Sequence, residues 1–239
     1  MTRSYDRAAH QLRPTSCVVD FVPPASGSAL ISVGRTQVIC TASVESGVPR
    51  WMSGRGRGWV TAEYGMLPAS TGSRKPRDIT RLHPDGRSVE IQRLIGRALR
   101  GVVDFVALGE RTVYLDCDVL VADGGTRCAA ITGAYVAFAR AMARLLADGE
   151  LERSPVAGSV AAISCGIVDG VALLDLDYSE DSVAEVDANV VMTADGGLVE
   201  VQATAERTPL SRAHLDDLLA LAALGIGELH AVQAAAIES

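Results

Sequence analysis

The chain has 239 residues, 48% of them hydrophobic, which is ample for a packed core in one large domain or two small ones. No apolar run reaches the roughly 18 residues of a membrane span and residues 1–14 lack the apolar stretch of a signal peptide, so a soluble cytoplasmic protein is expected. Five scattered cysteines without a CxxC pair suggest neither a disulfide framework nor a zinc site and read as reduced, mostly buried small apolar residues.

The net charge of −7 hides an asymmetry. Residues 1–111 carry 16 Lys and Arg against 9 Asp and Glu, a balance of +7, whereas residues 112–239 carry 6 against 20, a balance of −14. That split fits a protein that holds a polyanion with one part and sets carboxylates, for a metal, on the other; solvated surface charge gives the same tally.

In chain order, Arg3, Arg7 and Arg13 punctuate a polar lead-in expected to be an arm outside the core. Residues 30–33 and 37–42 flank Gly34-Arg35-Thr36 as a β-hairpin. Residues 50–59 place arginines among glycines between Trp51 and Trp59, a loop that either pairs with phosphates and stacks on bases or is anchored to the core by its indoles. A short strand over 59–68 leads into a polar loop, 70–86, carrying Arg74, Lys75, Arg77 and Arg81, longer than most structural connections.

Ser88 is the expected cap of a helix running to Arg100, with Arg93, Arg97 and Arg100 as one exposed stripe. Arg87 stands at its entry, where a positive charge is unfavourable to the helix dipole unless an anion lies nearby. Residues 112–121 alternate as a strand and end at Ala122-Asp123-Gly124-Gly125-Thr126-Arg127. A glycine turn that opens a helix presents free N–H groups to an anion, and Arg127 adds a forked donor; the same two glycines also serve as a plain tight connection. The helix from Thr126 to about Leu146 is apolar nearly all round in its first half, hence buried, with Gly149 as terminator.

Hairpins are predicted over 159–178, turning at Asp169-Gly170, and over 186–203, turning at Asp195-Gly196, then two helices broken around Gly225-Ile226-Gly227. Strand blocks followed by helices give an α+β class with layered sheets and helices. Residues 175–187 are rich in carboxylates. On one straight strand Asp181 and Asp187 would lie roughly 20 Å apart; a bend over 179–184 lets them converge on a hard cation such as Mg²⁺, whereas an acidic surface turn needs no ligand.

Four blocks together carry a family resemblance: WVTAEYGMLP at 59–68, GRSVEIQRLI at 86–95, LDCDVL at 115–120 with DGGTR at 123–127, and YSED at 178–181 continuing through Asp187 and Asn189 to Thr193. In this order, over nearly the whole chain, they resemble bacterial ribonuclease PH. The resemblance implies a phosphate-dependent 3′ exoribonuclease that trims precursor tRNA and releases nucleoside diphosphates, reversibly as nucleotidyl transfer. It implies a ribonuclease PH fold of duplicated β-α-β units like those of a ribosomal-protein domain. The whole chain, 1–239, would be one pseudo-duplicated domain with halves 1–150 and 151–239, assembling as a hexameric ring, a trimer of dimers. Carried over by position, phosphate contacts fall on Arg87, Gly125, Thr126 and Arg127, and the catalytic and Mg²⁺-binding carboxylates on Asp181 and Asp187. RNA contacts fall on Arg74, Arg77 and Arg81, then Arg93 and Arg97, with inorganic phosphate as co-substrate. Two other readings are a catalytically silent RNA-binding ring subunit and a hydrolytic, metal-dependent nuclease using the acidic cluster alone.

Overall fold

The computed structural model describes residues 3–77, 85–206 and 209–239, and among these nine strands form two sheets. β1 (Thr15–Val19), β2 (Gly27–Val33), β3 (Thr36–Ser46), β4 (Trp59–Met66) and β5 (Arg111–Val121) make the first, in the order β1-β2-β3-β5-β4. β4 and β5 run parallel, connected through α1 (Gly86–Arg100) and the short α2 (Phe105–Leu108). α3 (Thr126–Ala147) leads to the antiparallel second sheet of β6 (Val160–Val168), β7 (Val171–Leu174), β8 (Val186–Thr193) and β9 (Leu198–Ala205), ordered β7-β6-β8-β9. α4 (Tyr178–Asp181) interrupts the link from β7 to β8, and α5 (Arg212–Glu238) follows β9.

α3 packs on β2, β3 and β5 with one side and on β6 with another, which is why its first half has no polar face. β6 has helices on both sides: Val160 and Ala162 join the core around α3, while Ala161, Ile163, Cys165 and Ile167 pack with Leu218, Ala222, Ile226 and Leu229 of α5. Every residue of β6 is accordingly buried, and its sequence shows no alternation. The result is an α+β fold of alternating sheets and helices, as expected. α3 and α5 are each long and apolar enough to cross a membrane by length and composition; α3 spends that apolar surface on the two sheets, whereas much of α5 is exposed.

Four local expectations are corrected. The C-terminal segment is one continuous helix, because Gly225 is a point of close approach: a Cβ there would lie 2.9 Å from a methyl of Leu174 and 3.2 Å from Leu12. β7 ends at Leu174, short of residue 178, where Asp175 turns into the left-handed region at φ 56°. The first helix begins at Gly86 with Asp85 as N-cap, and Ser88 is buried within it. Arg100 leaves the exposed stripe, its guanidinium lying 4.9 Å over the Trp59 ring and donating to the Val60 carbonyl.

The largest difference is the N-terminal segment. Arg7 and Arg13 are buried, and with Arg3 they hold the acidic turn. Arg3 donates to both oxygens of Glu180, at 2.6 and 3.1 Å, and Arg7 to Glu180 at 3.3 Å. Arg13 grips Asp175 from its backbone N–H and its side chain. Buried ion pairs of this kind fix position more than they stabilise, because desolvation offsets the attraction. Periodicity missed them because their partners lie more than 160 residues away in sequence.

Candidate functional site

β5 delivers the chain to Gly124 and Gly125, whose φ values of 80° and 66° are open to glycine at little cost. Gly125 is the N-cap of α3 and supplies no side-chain cap, so the N–H groups of the first turn are available to an anion. The loop is tied back elsewhere. Thr36 Oγ1 donates to the Gly124 carbonyl at 2.8 Å and accepts from the Asp123 N–H at 2.9 Å, and the buried Tyr64 hydroxyl donates to Thr126 Oγ1 at 2.9 Å. Ser164 Oγ is buried without a partner among the described residues, 3.5 Å from where a Gly125 Cβ would sit.

Gly124 also abuts the start of α4, where a Cβ would fall 2.6 Å from the Leu176 carbonyl oxygen and 2.8 Å from the Tyr178 nitrogen. Gly124→Ala is therefore expected to lower stability by at least about 2 kcal/mol, through backbone strain and overpacking together, as read from urea unfolding.

The loop opens onto a cavity of about 560 Å³ bordered by Gly125, Thr126, Arg87 and Asp181. Arg87, exposed in the first turn of α1, thus faces the anion-binding end of α3, which resolves its mismatch with its own helix dipole. Thr71, Gly72 and Ser73 form another wall, and Tyr178, 66% exposed, stands at the rim. Sequence reasoning passed over these four. Tyr178 lay in a block quoted for its carboxylates, and 71–73 carry no charge to draw notice.

The acidic turn is sorted by the fold. Asp177 caps α4 by accepting from the Ser179 and Glu180 N–H groups. Burial would raise its carboxyl, yet hydrogen bonds from Ser179, Ser4 and the Glu180 backbone bring it down to about 2. Glu180 completes the capping box and pairs with Arg3 and Arg7. Glu185 accepts from the Gly170 N–H at 3.0 Å, which leaves Asp181 at the end of α4 and Asp187 near the start of β8, and both line a polar recess of about 460 Å³ with Glu206. α4 is the bend that convergence required.

Burial pushes the Asp181 carboxyl up, opposed by Arg87 and Arg127. Burial, then the charge of Asp181, pushes Asp187 up, opposed by Arg127, a hydrogen bond with Asn189, and Arg87. Asn189 Nδ2 donates to Asp187 at 3.4 Å, and its Oδ1 accepts from the Cys128 thiol at 3.3 Å. Among the described residues no group of three or more His, Cys, Asp or Glu is arranged to hold a metal. Two carboxylates raised by burial, Asp187 also by the charge of Asp181, and opening on a polar recess, fit Mg²⁺ nonetheless, since that ion takes one or two carboxylates and keeps water and phosphate oxygens for the rest.

Arg127 lies within electrostatic reach of both carboxylates but outside the cavity wall. Its Nη1 donates to Gln202 at 2.8 Å and pairs with Glu90 at 3.4 Å. Gln202 on β9 and Glu90 on α1 are thus site neighbours that the sequence did not single out. Of the basic residues expected on an RNA path, Arg74, Arg77, Arg93 and Arg97 are exposed, Arg97 paired with Glu200. Arg81 lies outside the described residues. The tryptophan loop is remote: Trp59 pairs with Thr112 at the start of β5, the end of the sheet opposite Gly124, and Trp51 packs edge-on against Trp59.

An α+β protein in which a glycine turn and two arginines converge on a carboxylate pair is equipped to handle phosphate esters. Its family is defined by sequence: residues 11–143 match domain 1, and residues 158–224 domain 2, of the 3′ exoribonuclease family (RNase PH), and the chain belongs to that family. The fold is similar to rice (Oryza sativa) Rrp46, with a TM-score of 0.79 and 18% identity over 98% of this chain and 100% of that one. It is similar also to the Archaeoglobus fulgidus exosome with RNA bound to the active site (TM-score 0.79, 23% identity, 96% and 91% covered) and to an archaeal exosome core (0.76, 22%, 95% and 89%).

Proposed function

We propose that the protein is a phosphate-dependent 3′-to-5′ exoribonuclease of the ribonuclease PH type, trimming the 3′ ends of precursor tRNA in the cytoplasm and releasing nucleoside diphosphates. The observation that carries the reading is a cavity shared by Arg87, the Gly125–Thr126 helix start and Asp181. A hydrolytic nuclease needs carboxylates for a metal and has no use for a second anion site.

In this reaction an oxygen of inorganic phosphate bonds to the terminal phosphorus of the RNA. The bond from that phosphorus to the preceding 3′ oxygen breaks, the 3′ oxygen takes up a proton, and a nucleoside diphosphate leaves. Two anions must meet, so the work is neutralisation and alignment. Arg87 and the N–H groups of Gly125 and Thr126 hold the attacking phosphate, with Arg127 adding charge behind them. Asp181 and Asp187 would hold a Mg²⁺, which supplies charge stabilisation at the scissile phosphate. Asp181 borders both recesses, which supports a role for it at the departing 3′ oxygen. The likeness to exosome rings supports assembly into a ring, here a homohexamer, with RNA led in past Arg74, Arg77, Arg93 and Arg97.

One observation favours a catalytically silent RNA-binding ring subunit: Arg127 is engaged by Glu90 and Gln202. Incubation with a short 3′-extended tRNA, with and without phosphate, separates the readings. The proposal expects nucleoside diphosphates only with phosphate. Monophosphates in phosphate-free buffer indicate hydrolysis, and ring assembly without turnover indicates the silent subunit.

A further inference from the structure

Phosphate loop and catalytic carboxylates come from different halves of the chain, and one buried side chain joins them. Arg13 is 2% exposed. Its backbone N–H and Nε donate to Asp175 Oδ2 at 2.8 and 3.0 Å, and its Nη2 to Asp175 Oδ1 at 2.6 Å. On its other side Nη1 donates to the Asp123 carbonyl at 2.5 Å, and Nη2 lies 3.5 Å from the Gly124 carbonyl. Asp175 is two residues from Asp177, the N-cap of α4, while Asp123 and Gly124 lead into Gly125, the N-cap of α3. The same guanidinium also closes the back of the phosphate loop, since a Cβ at Gly125 would stand 3.1 Å from Nη2.

We infer that Arg13 is a positioning residue that sets the spacing between the phosphate-binding turn and the Asp181–Asp187 pair. The inference deepens the phosphorolytic reading and rests on it. A planar fork with donors on several edges can hold a carboxylate and two carbonyls at once, whereas a lysine ammonium is a single point and cannot. Arg7 is the internal control. It too is buried, at 7% exposed, and donates to the carbonyls of Ser4, Gln11 and Asp175 and to Glu180; its Nη1 also lies 3.6 Å from Asp175 Oδ2, but among the described residues it makes no hydrogen bond to the phosphate loop.

The test compares Arg13→Lys with Arg7→Lys in the full chain by thermal melting, by calorimetric titration with inorganic phosphate, and by phosphorolysis of a short 3′-extended RNA. Both variants are expected to melt below the parent. Arg13→Lys is expected to bind phosphate at least about tenfold more weakly, with a matching rise in its KM, while Arg7→Lys stays within about twofold of the parent. Equal loss of phosphate affinity in the two, or none in Arg13→Lys, overturns the inference. If Arg13→Lys does not fold, Asp175→Asn is compared with Arg7→Lys instead, because asparagine tolerates the left-handed backbone at that position and loosens the grip on Arg13 from its other side, while Arg7→Lys accounts for the share that acts through Arg7, whose Nη1 lies 3.6 Å from Asp175. A parent that binds phosphate but releases no diphosphate ends the phosphorolytic reading while the titration still decides the role of Arg13; a parent that binds no phosphate ends both.

Discussion

Asp187→Asn is expected to cut the release of nucleoside diphosphates by at least about a hundredfold while leaving the fold and the oligomer intact. The side chain lies at the start of β8, positioned by Asn189, and among the described residues Arg127 and Arg87 are the positive charges that act on it. Asparagine keeps the shape and loses the charge on which the electrostatic role depends. The stability outcome follows from the raised carboxyl. Its folded pKa lies above the unfolded value, so between the two the folded state binds more protons, and stability falls as pH rises through that window. At neutral pH without metal, the ionised carboxylate is therefore a cost that asparagine removes. In chelator at pH 7 the variant should melt at or above the parent, and the two should converge below the ordinary carboxylate range. Added Mg²⁺ should then raise the melting temperature of the parent and not of the variant, because a ligand stabilises only a protein that binds it. A variant that melts well below the parent in chelator would show that Asp187 is a structural group, and an active one would remove it from the site.

Most of the fold was legible because its signals are local. β2 and β3 announced themselves by a glycine turn, β5 by alternation, and α3 by an apolar surface with no polar face. What escaped depended on partners distant in sequence. Arg3, Arg7 and Arg13 looked like a solvated arm because three arginines in a polar stretch do not disclose that Asp175 and Glu180 wait for them. Conversely, the acidic run looked like one undifferentiated cluster. Its division into buried structural carboxylates at 175, 177 and 180, and exposed or half-buried ones at 181, 185 and 187, comes from those same arginines and from the four-residue turn of α4. Gly225 was misread for a related reason: a glycine in a helix signals a break or a close neighbour, and only the packing of Leu174 and Leu12 distinguishes them. The family blocks located Arg87, Gly125, Thr126, Asp181 and Asp187, and they converge around adjoining recesses; they did not indicate Gln202, which lies in no block, nor that Glu90, inside one, would bind the Arg127 guanidinium.

That engagement makes Arg127→Ala the sharper test of the phosphate site. The expected result is a rise of about a hundredfold in the KM for phosphate, with RNA affinity close to that of the parent. Arg127 occupies the first turn of α3, where its charge adds to the N–H groups that are available to an anion. Its pairing with Glu90 is on the solvent side, since Glu90 is 43% exposed and can turn to water when the arginine is lost. The truncation thus leaves Glu90 to water and Arg87 still beside the two carboxylates, and the protein should stay folded. It also withdraws a positive charge that holds down both Asp181 and Asp187, so the acidic limb of the pH–rate profile should move to higher pH, the direction opposite to that of any added cation. A silent ring subunit predicts neither effect. Equal loss of phosphate and RNA affinity would place Arg127 on the RNA path, and an unchanged KM with an unchanged pH profile would mean that Glu90 and Gln202 hold it out of the chemistry altogether.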